Sequence, residues 1–110
     1  MTNFHRVTPT FSVAGQLSAA DMQRAADAGF KVAIKNRQEG EEPGQPTEAD
    51  LHAAAVAAGL TFHSLPFAGA PPPVVVAETA ALMEQTAGPI LAFCRSGRRS
   101  ILAWALTKTL

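Results

Sequence analysis

The stretch PILAFCRSGRRSILAWAL, residues 89–106, decides how this chain folds. Its first part, PILAFC, is an unbroken apolar run, the pattern of a strand buried on both faces near the centre of a parallel sheet. Its last part carries Ile101, Leu102, Ala105 and Leu106 at helical spacing, so a helix begins near Gly97 or Arg98. Between the two lies a short loop of arginine, serine and glycine that opens on Cys94. A parallel strand that runs through such a loop into a helix gathers backbone N–H groups around the helix N-terminus, and that geometry binds anions. The unsatisfied first-turn donors amount to about half an elementary charge. Arg99 adds a planar fork that matches two oxygens of a tetrahedral oxyanion. Gly97 permits the φ values that turn amides inward.

The same field acts on the sulfur. A free cysteine titrates near about 8.5, and at helix N-termini beside cations the value falls to about 3.5–7.5. Cys94 is therefore expected to be a thiolate at neutral pH, aimed as a nucleophile at the central atom of a bound group. Ser100 is expected to donate a hydrogen bond to that thiolate. Arg95, Ser96, Gly97 and Arg98 are expected to complete the oxyanion cradle, although arginines at a helix start are commonly solvated. Against this stands the reading of Cys94 as a small buried hydrophobe closing an apolar strand.

Upstream of the loop, short β-prone runs alternate with Ala-rich helical runs, the pattern of α/β layering. FSVAG (11–15) reads as a strand. Ser18 caps a helix through Ala28, with Asp21 three residues on and Gly29 as the stop. FKVAIKN (30–36) is a second strand, and QEGEEPGQP (38–46) a loop at its carboxyl end. Thr47 and Asp50 cap a helix that runs to Gly59. LTFHSLPF (60–67) is a third strand. AGAPPP (68–73) cannot be regular, but Pro73 fits the first turn of the helix over 74–88 that Gly88 stops. The expectation is a single compact α/β domain over residues 1–110: a mostly parallel central sheet of about four strands flanked by helices, with the cysteine loop between the last strand and the last helix.

Composition limits function. The 110 residues carry nine basic and nine acidic side chains, so no global field draws the chain to nucleic acid or anionic lipid. No apolar run reaches the roughly 20 residues of a membrane span, and MTNFHRVTPTF lacks the signature of a signal peptide. The chain is expected in the cytoplasm. One cysteine allows no internal disulfide and no zinc cluster, so no metal and no cofactor is expected. The oligomeric state is not specified.

FCRSGRRS (93–100), set between a strand and an apolar helix, resembles the signature loop of cysteine-dependent phosphatases of the dual-specificity type. VTPTFSVAGQLSAADMQRAADAGFKVAIKNR (7–37) resembles the opening of those domains. With NRQEGEEPGQPT (36–47), the chain is similar along nearly its full length to the bacterial beta-lactamase-hydrolase-like family, phosphatase-like domain. The resemblance implies a compact phosphatase-like α/β fold, with Cys94 as nucleophile and Arg99 as oxyanion-binding arginine.

Two departures bear on the chemistry. Four residues separate Cys94 from Arg99, where the phosphatase signature has five. The shorter Cys-Arg-x-Gly-x-Arg loop resembles that of rhodanese-type sulfurtransferases, whose cysteine accepts sulfane sulfur as a persulfide. Those phosphatases also carry an aspartate after the third strand to protonate the leaving group, and here LPFAGAPPP (65–73) has no carboxylate. Glu39, Glu41 and Glu42 lie at the same sheet edge as candidate substitutes, or as exposed loop acids. Arg37 is a candidate second oxyanion contact. His63 is expected beside the core and Trp104 as a packing residue, and His5 and His52 have no motif context.

Three functions follow: a phosphatase-like hydrolase forming a cysteinyl-phosphate, a sulfurtransferase forming a Cys94 persulfide, and a non-catalytic module that binds phosphate or sulfate. The expected ligand is a small phosphorylated or sulfur-donor substrate.

Overall fold

Strand β5 (Ile90–Phe93) is the middle strand of a five-stranded sheet, and all four of its residues are buried. A computed structural model describes residues 2–110. In chain order the other elements are β1 (Phe4–Thr8), β2 (Phe11–Ala14), α1 (Ala19–Asp27), β3 (Val32–Lys35), α2 (Glu48–Ala58), β4 (Thr61–Ser64), α3 (Pro73–Gln85) and α4 (Arg98–Thr107). The strand order is β1-β2-β5-β3-β4. β2, β5, β3 and β4 are parallel, and only β1 runs antiparallel to its neighbour.

The registers Ala14↔Phe93 and Lys35↔Phe93 bring the carboxyl ends of β2, β5 and β3 level with one another. Cys94 follows the central strand at that edge. The chain steps outward from β2 to β3 to β4 and only then returns through α3 to β5, so the edge at Cys94 is where the winding direction reverses. In open α/β sheets such a point is where ligands bind.

The period-two alternation of each strand fills one core on either face of the sheet. Leu91 and Phe93 join Leu17, Met22, Ala25 and Leu51 beneath α1 and α2. Ile90 and Ala92 join Phe11, Val13, Val32 and Ile34 beneath α3 and α4. Burying a Leu or Phe side chain of this kind is worth about 1.5–3 kcal/mol, so β5 anchors both layers.

The caps stand where the sequence places them. Ser18 Oγ accepts from Asp21 N at 3.2 Å while Ser18 N donates to Asp21 Oδ2 at 2.9 Å, a complete capping box. Thr47 Oγ1 accepts from Asp50 N at 3.2 Å, and Gly59 closes α2 in the left-handed conformation. Pro73 is the first residue of α3. α3 ends at Gln85, before Gly88, because Thr86 already has an extended backbone.

The sheet has five strands where about four are expected, the addition being β1. Its His5 and Arg6 are exposed and its apolar residues only half-buried. A charged edge strand leaves a weak hydrophobic pattern, which is also how such edges avoid pairing with other chains. β4 is shorter than the run 60–67: Pro66 has no N–H, and Phe67 N turns back to the Asn36 carbonyl at 3.2 Å.

Candidate active site

Cys94 lies at the floor of a ring of peptide nitrogens. It is 1% exposed, and Gly97 N donates to its Sγ at 3.0 Å. Gly97 holds φ 95° and serves as N-cap of α4, a left-handed conformation that costs an L-residue about 1–2 kcal/mol. That turn aims successive N–H groups inward. Gly15 is needed for a different reason: a Cβ there would sit 3.0 Å from the Arg95 carbonyl oxygen, so β2 and the cysteine loop pass at contact distance.

Burial pushes the Cys94 thiol up. The backbone N–H groups of Ser100, Ser96, Gly97 and Arg99 outweigh that effect and hold the thiol below its ordinary value. Desolvation disfavours the charged form and hydrogen bonds to it favour it; here the second prevails. The sulfur is buried among amides, not sealed in hydrocarbon.

Arg99 reaches the same site and is held firmly there. Its Nη1 donates to Glu41 Oε2 at 2.6 Å and to the Phe67 carbonyl at 3.1 Å, and its Nη2 to Glu41 Oε1 at 2.8 Å. Glu41 therefore grips the terminal edge of the guanidinium. A guanidinium has five N–H groups in a fixed fork, and beyond the grip of Glu41 a side-chain hydrogen bond also links Arg99 to Cys94. Hydrogen bonding by Glu41 raises Arg99 above its ordinary value, burial partly opposes this, and the charges of Glu41 and Cys94 and a hydrogen bond to Cys94 add to the rise.

Arg37, the candidate second oxyanion contact, is engaged by other side chains. It is 2% exposed, and every terminal nitrogen is engaged: Nε with Glu41 Oε1 at 3.0 Å, Nη1 with Gln16 Oε1 at 3.1 Å, and Nη2 with Glu42 Oε1 at 2.6 Å. A guanidinium taken out of water needs counter-charge and filled donors, and the 38–46 loop folds over Arg37 to supply both. Glu41 thereby bridges Arg37 and Arg99. Hydrogen bonding to Arg99 brings its carboxyl down to about 2, with burial opposing and Arg37 assisting. Glu42 is also lowered, first by Arg37 and then by the charge of Arg95.

Ser100 contributes differently from expectation. Its hydroxyl donates to Asn36 Oδ1 at 2.8 Å, so the proton expected at the thiolate is committed elsewhere, and the backbone N–H of Ser100 faces the sulfur instead. Ser96 likewise contributes its N–H, while its hydroxyl accepts from Arg98 N at 3.4 Å. The side chains of Arg95 and Arg98 are exposed, and Arg95 Nε lies 3.4 Å from Glu42 Oε1.

Glu39 belongs to a separate cluster. Lys35 is 0% exposed, and its Nζ lies 3.2 Å from Glu39 Oε1 and 3.3 Å from Glu48 Oε1. The Ser64 hydroxyl donates to Glu48 as well. This buried ammonium fastens the 38–46 loop and the start of α2 to the sheet. Lys35, Asn36 and Gln16 went unread in the sequence; a lysine and an asparagine ending the run FKVAIKN were the available signal. His52 stacks on Phe62 at 5.1 Å, and Trp104 packs on Phe11, away from the loop.

A groove of about 620 Å³ opens beside Gln16, between the start of α1 and Pro46, and Cys94 does not line it. Chemistry, not cavity size, makes the cysteine loop the candidate site. Among the described residues no group of three or more His, Cys, Asp or Glu is placed to hold a metal ion, and no helix is long and apolar enough to cross a membrane.

The family model of the beta-lactamase hydrolase-like protein, phosphatase-like domain, matches residues 3–110. A beta-lactamase hydrolase-like protein of Agrobacterium fabrum is 34% identical over 108 residues, covering 96% of this chain and 25% of that protein. The chain thus spans about a quarter of the length of the curated relatives it matches. A solved structure from Neisseria meningitidis, provisionally designated a phosphatase, superposes with a TM-score of 0.83 at 31% identity and covers 94% of this chain and 75% of that one. Another of the same designation, from Shewanella putrefaciens, gives a TM-score of 0.79 at 18% identity over 96% of this chain and 66% of that one, and shows the shared fold alone.

Proposed function

The chain belongs to the family of the beta-lactamase hydrolase-like protein, phosphatase-like domain, and from that premise we propose that the Cys94 thiolate is the nucleophile of a group-transfer enzyme acting on a small tetrahedral oxyanion. The loop amides and the Arg99 guanidinium hold the oxygens, and the sulfur attacks the group they present. The reading that fits the site best is transfer of sulfane sulfur.

The observation that carries it is the state of Glu41. Ester cleavage expels an alkoxide that needs a proton, and a positioned acid typically supplies about 10²–10⁴-fold. Glu41 is the carboxyl group brought onto Arg99, and two guanidiniums hold it ionised at about 2. It has no proton to give at neutral pH. A thiosulfate donor needs none, because sulfite departs as a stable anion.

In that reaction the Cys94 thiolate attacks the outer sulfur of thiosulfate and forms a new S–S bond. The S–S bond of the donor breaks, and sulfite leaves with its electron pair. The loop amides that stabilised the thiolate now face the persulfide anion. An acceptor thiolate or cyanide attacks the terminal sulfur, and Cys94 returns as thiolate. No external oxidant or reductant enters.

A second reading is supported by the family fold itself. Cys94 attacks phosphorus, the alkoxide leaves, and water hydrolyses the cysteinyl-phosphate. With no acid on the leaving group, this reading is confined to substrates whose leaving groups are already acidic, such as aryl phosphates.

The test runs thiosulfate-to-cyanide transfer and aryl phosphate hydrolysis on wild type and Cys94→Ser, with intact mass after each donor. The expected result is a mass gain of one sulfur atom and thiocyanate formation, both lost in Cys94→Ser. Cys94-dependent phosphate release with no sulfur adduct gives the second reading instead. Binding of phosphate or sulfate with neither turnover leaves the domain a non-catalytic oxyanion-binding module.

A further inference from the structure

Asn36 and Ser100 are 1% and 0% exposed, and they meet across 64 positions of sequence. The Asn36 amide is oriented from both sides: Oδ1 accepts from the Ser100 hydroxyl at 2.8 Å, and Nδ2 donates to the Leu65 carbonyl at 3.0 Å. Its backbone is engaged too. The N–H donates to the Phe93 carbonyl at 2.8 Å, and the carbonyl accepts from Phe67 N at 3.2 Å. One residue thus joins the end of β3 to the residue before Cys94, to the segment after β4, and to the first turn of α4. Phe67 in turn accepts from Arg99 Nη1 at 3.1 Å.

A hydroxyl has one proton, and that of Ser100 goes to Asn36. What Ser100 offers the sulfur is its backbone N–H, which leads the hydrogen bonds that lower the Cys94 thiol. The direction of that N–H depends on where the first turn of α4 sits, and Gly97, in its left-handed conformation, leaves that turn no side-chain cap. Asn36 supplies from β3 the fixed point that a capping side chain would otherwise provide.

We propose that Asn36 is a positioning residue for the nucleophile: through the Ser100 hydroxyl it holds the first turn of α4 so that the Ser100 and Arg99 N–H groups point at Cys94 Sγ. The proposal rests on the reading of Cys94 as the reacting thiolate and is independent of whether sulfur or phosphorus is transferred.

Cys94 is the single thiol of the chain, so the pH dependence of its alkylation by iodoacetamide reads its ionisation directly. Asn36→Ala and Ser100→Ala should each raise the midpoint by about one pH unit, the size expected for a weakened hydrogen bond to a charged group. The double variant should move it no further, since both changes break one bond. Ser100→Thr keeps the hydroxyl and should restore the wild-type midpoint. A role confined to packing would lower the melting temperature and leave the midpoint in place, and that result in a folded Ser100→Ala protein overturns the proposal. So does a double variant whose shift equals the sum of the singles. Should Asn36→Ala fail to fold, Ser100→Ala and Ser100→Thr decide the matter alone. A low wild-type midpoint with neither sulfur nor phosphoryl transfer removes the proposed function and leaves this inference standing; transfer with unmoved midpoints does the reverse.

Discussion

Replacing Glu41 by glutamine removes the charge that the guanidiniums of Arg37 and Arg99 share while keeping the shape of the side chain. The drop of the Glu41 carboxyl from 4.5 to about 2 corresponds, at about 1.36 kcal/mol per unit, to about 3 kcal/mol for a fully shielded group. The side chain is 22% exposed and Arg99 20%, so water screens part of this and about 1–2 kcal/mol is expected at neutral pH. The folded value lies below the unfolded one. The contribution is therefore complete above about pH 4.5 and fades as the pH falls through about 2. Thermal unfolding followed by circular dichroism at pH 7, 5, 3.5 and 2.5 measures it. At about 4–8 °C per kcal/mol for domains near this size, Glu41→Gln should melt several degrees below wild type at pH 7, and the two curves should converge toward pH 2.5. A gap that stays constant across this range, or no gap at pH 7, refutes the ion-pair account. The same variant speaks to catalysis: if Glu41 were a proton donor, aryl phosphate hydrolysis would fall about 10²–10⁴-fold and lose one limb of its pH profile, whereas an ionised counter-charge leaves the shape of that profile intact.

Further outcomes follow from the same geometry. Arg99→Lys retains the charge but loses the planar fork and its bidentate grip on Glu41, so phosphate or thiosulfate affinity measured by calorimetry should fall about tenfold or more; equal affinity places the oxyanion elsewhere. Gly97→Ala forces a Cβ onto φ 95°, and the expected loss of about 1–2 kcal/mol in urea unfolding should come with a rise in the alkylation midpoint of Cys94. Gly15→Ala places a Cβ 3.0 Å from the Arg95 carbonyl and should slow Cys94 alkylation at fixed pH, because the loop must shift to admit it. Lys35→Ala empties a buried site and leaves Glu39 and Glu48, 54% and 34% exposed, without their ammonium and should destabilise by about 2–5 kcal/mol, while Lys35→Met, which fills the same space, should cost less; equal losses in the two variants mean that the packing of the side-chain stem is unimportant.

The local chemistry of the chain determined a great deal by itself. Ser18 with Asp21, and Thr47 with Asp50, specify helix starts because a cap needs only an oxygen and an amide three residues away. The run Ile90–Phe93 declares a strand covered on both faces, and Gly97 followed by arginines declares a helix start, both from contiguous residues. The lowering of the Cys94 thiol belongs to the same class, since the N–H groups that oppose its burial lie within six positions of the sulfur. Tertiary structure alone decided the rest. Arg37 reads as a candidate oxyanion contact until the 38–46 loop folds across it, and Glu41 reads as a candidate acid until Arg37 and Arg99, 62 positions apart, converge on its two oxygens. Asn36 and Ser100 acquire their roles only because β3 lies beside β5. Whether a polar side chain is solvated, ionised or committed to one partner depends on what removes the water around it, and that is settled by chain segments distant in sequence.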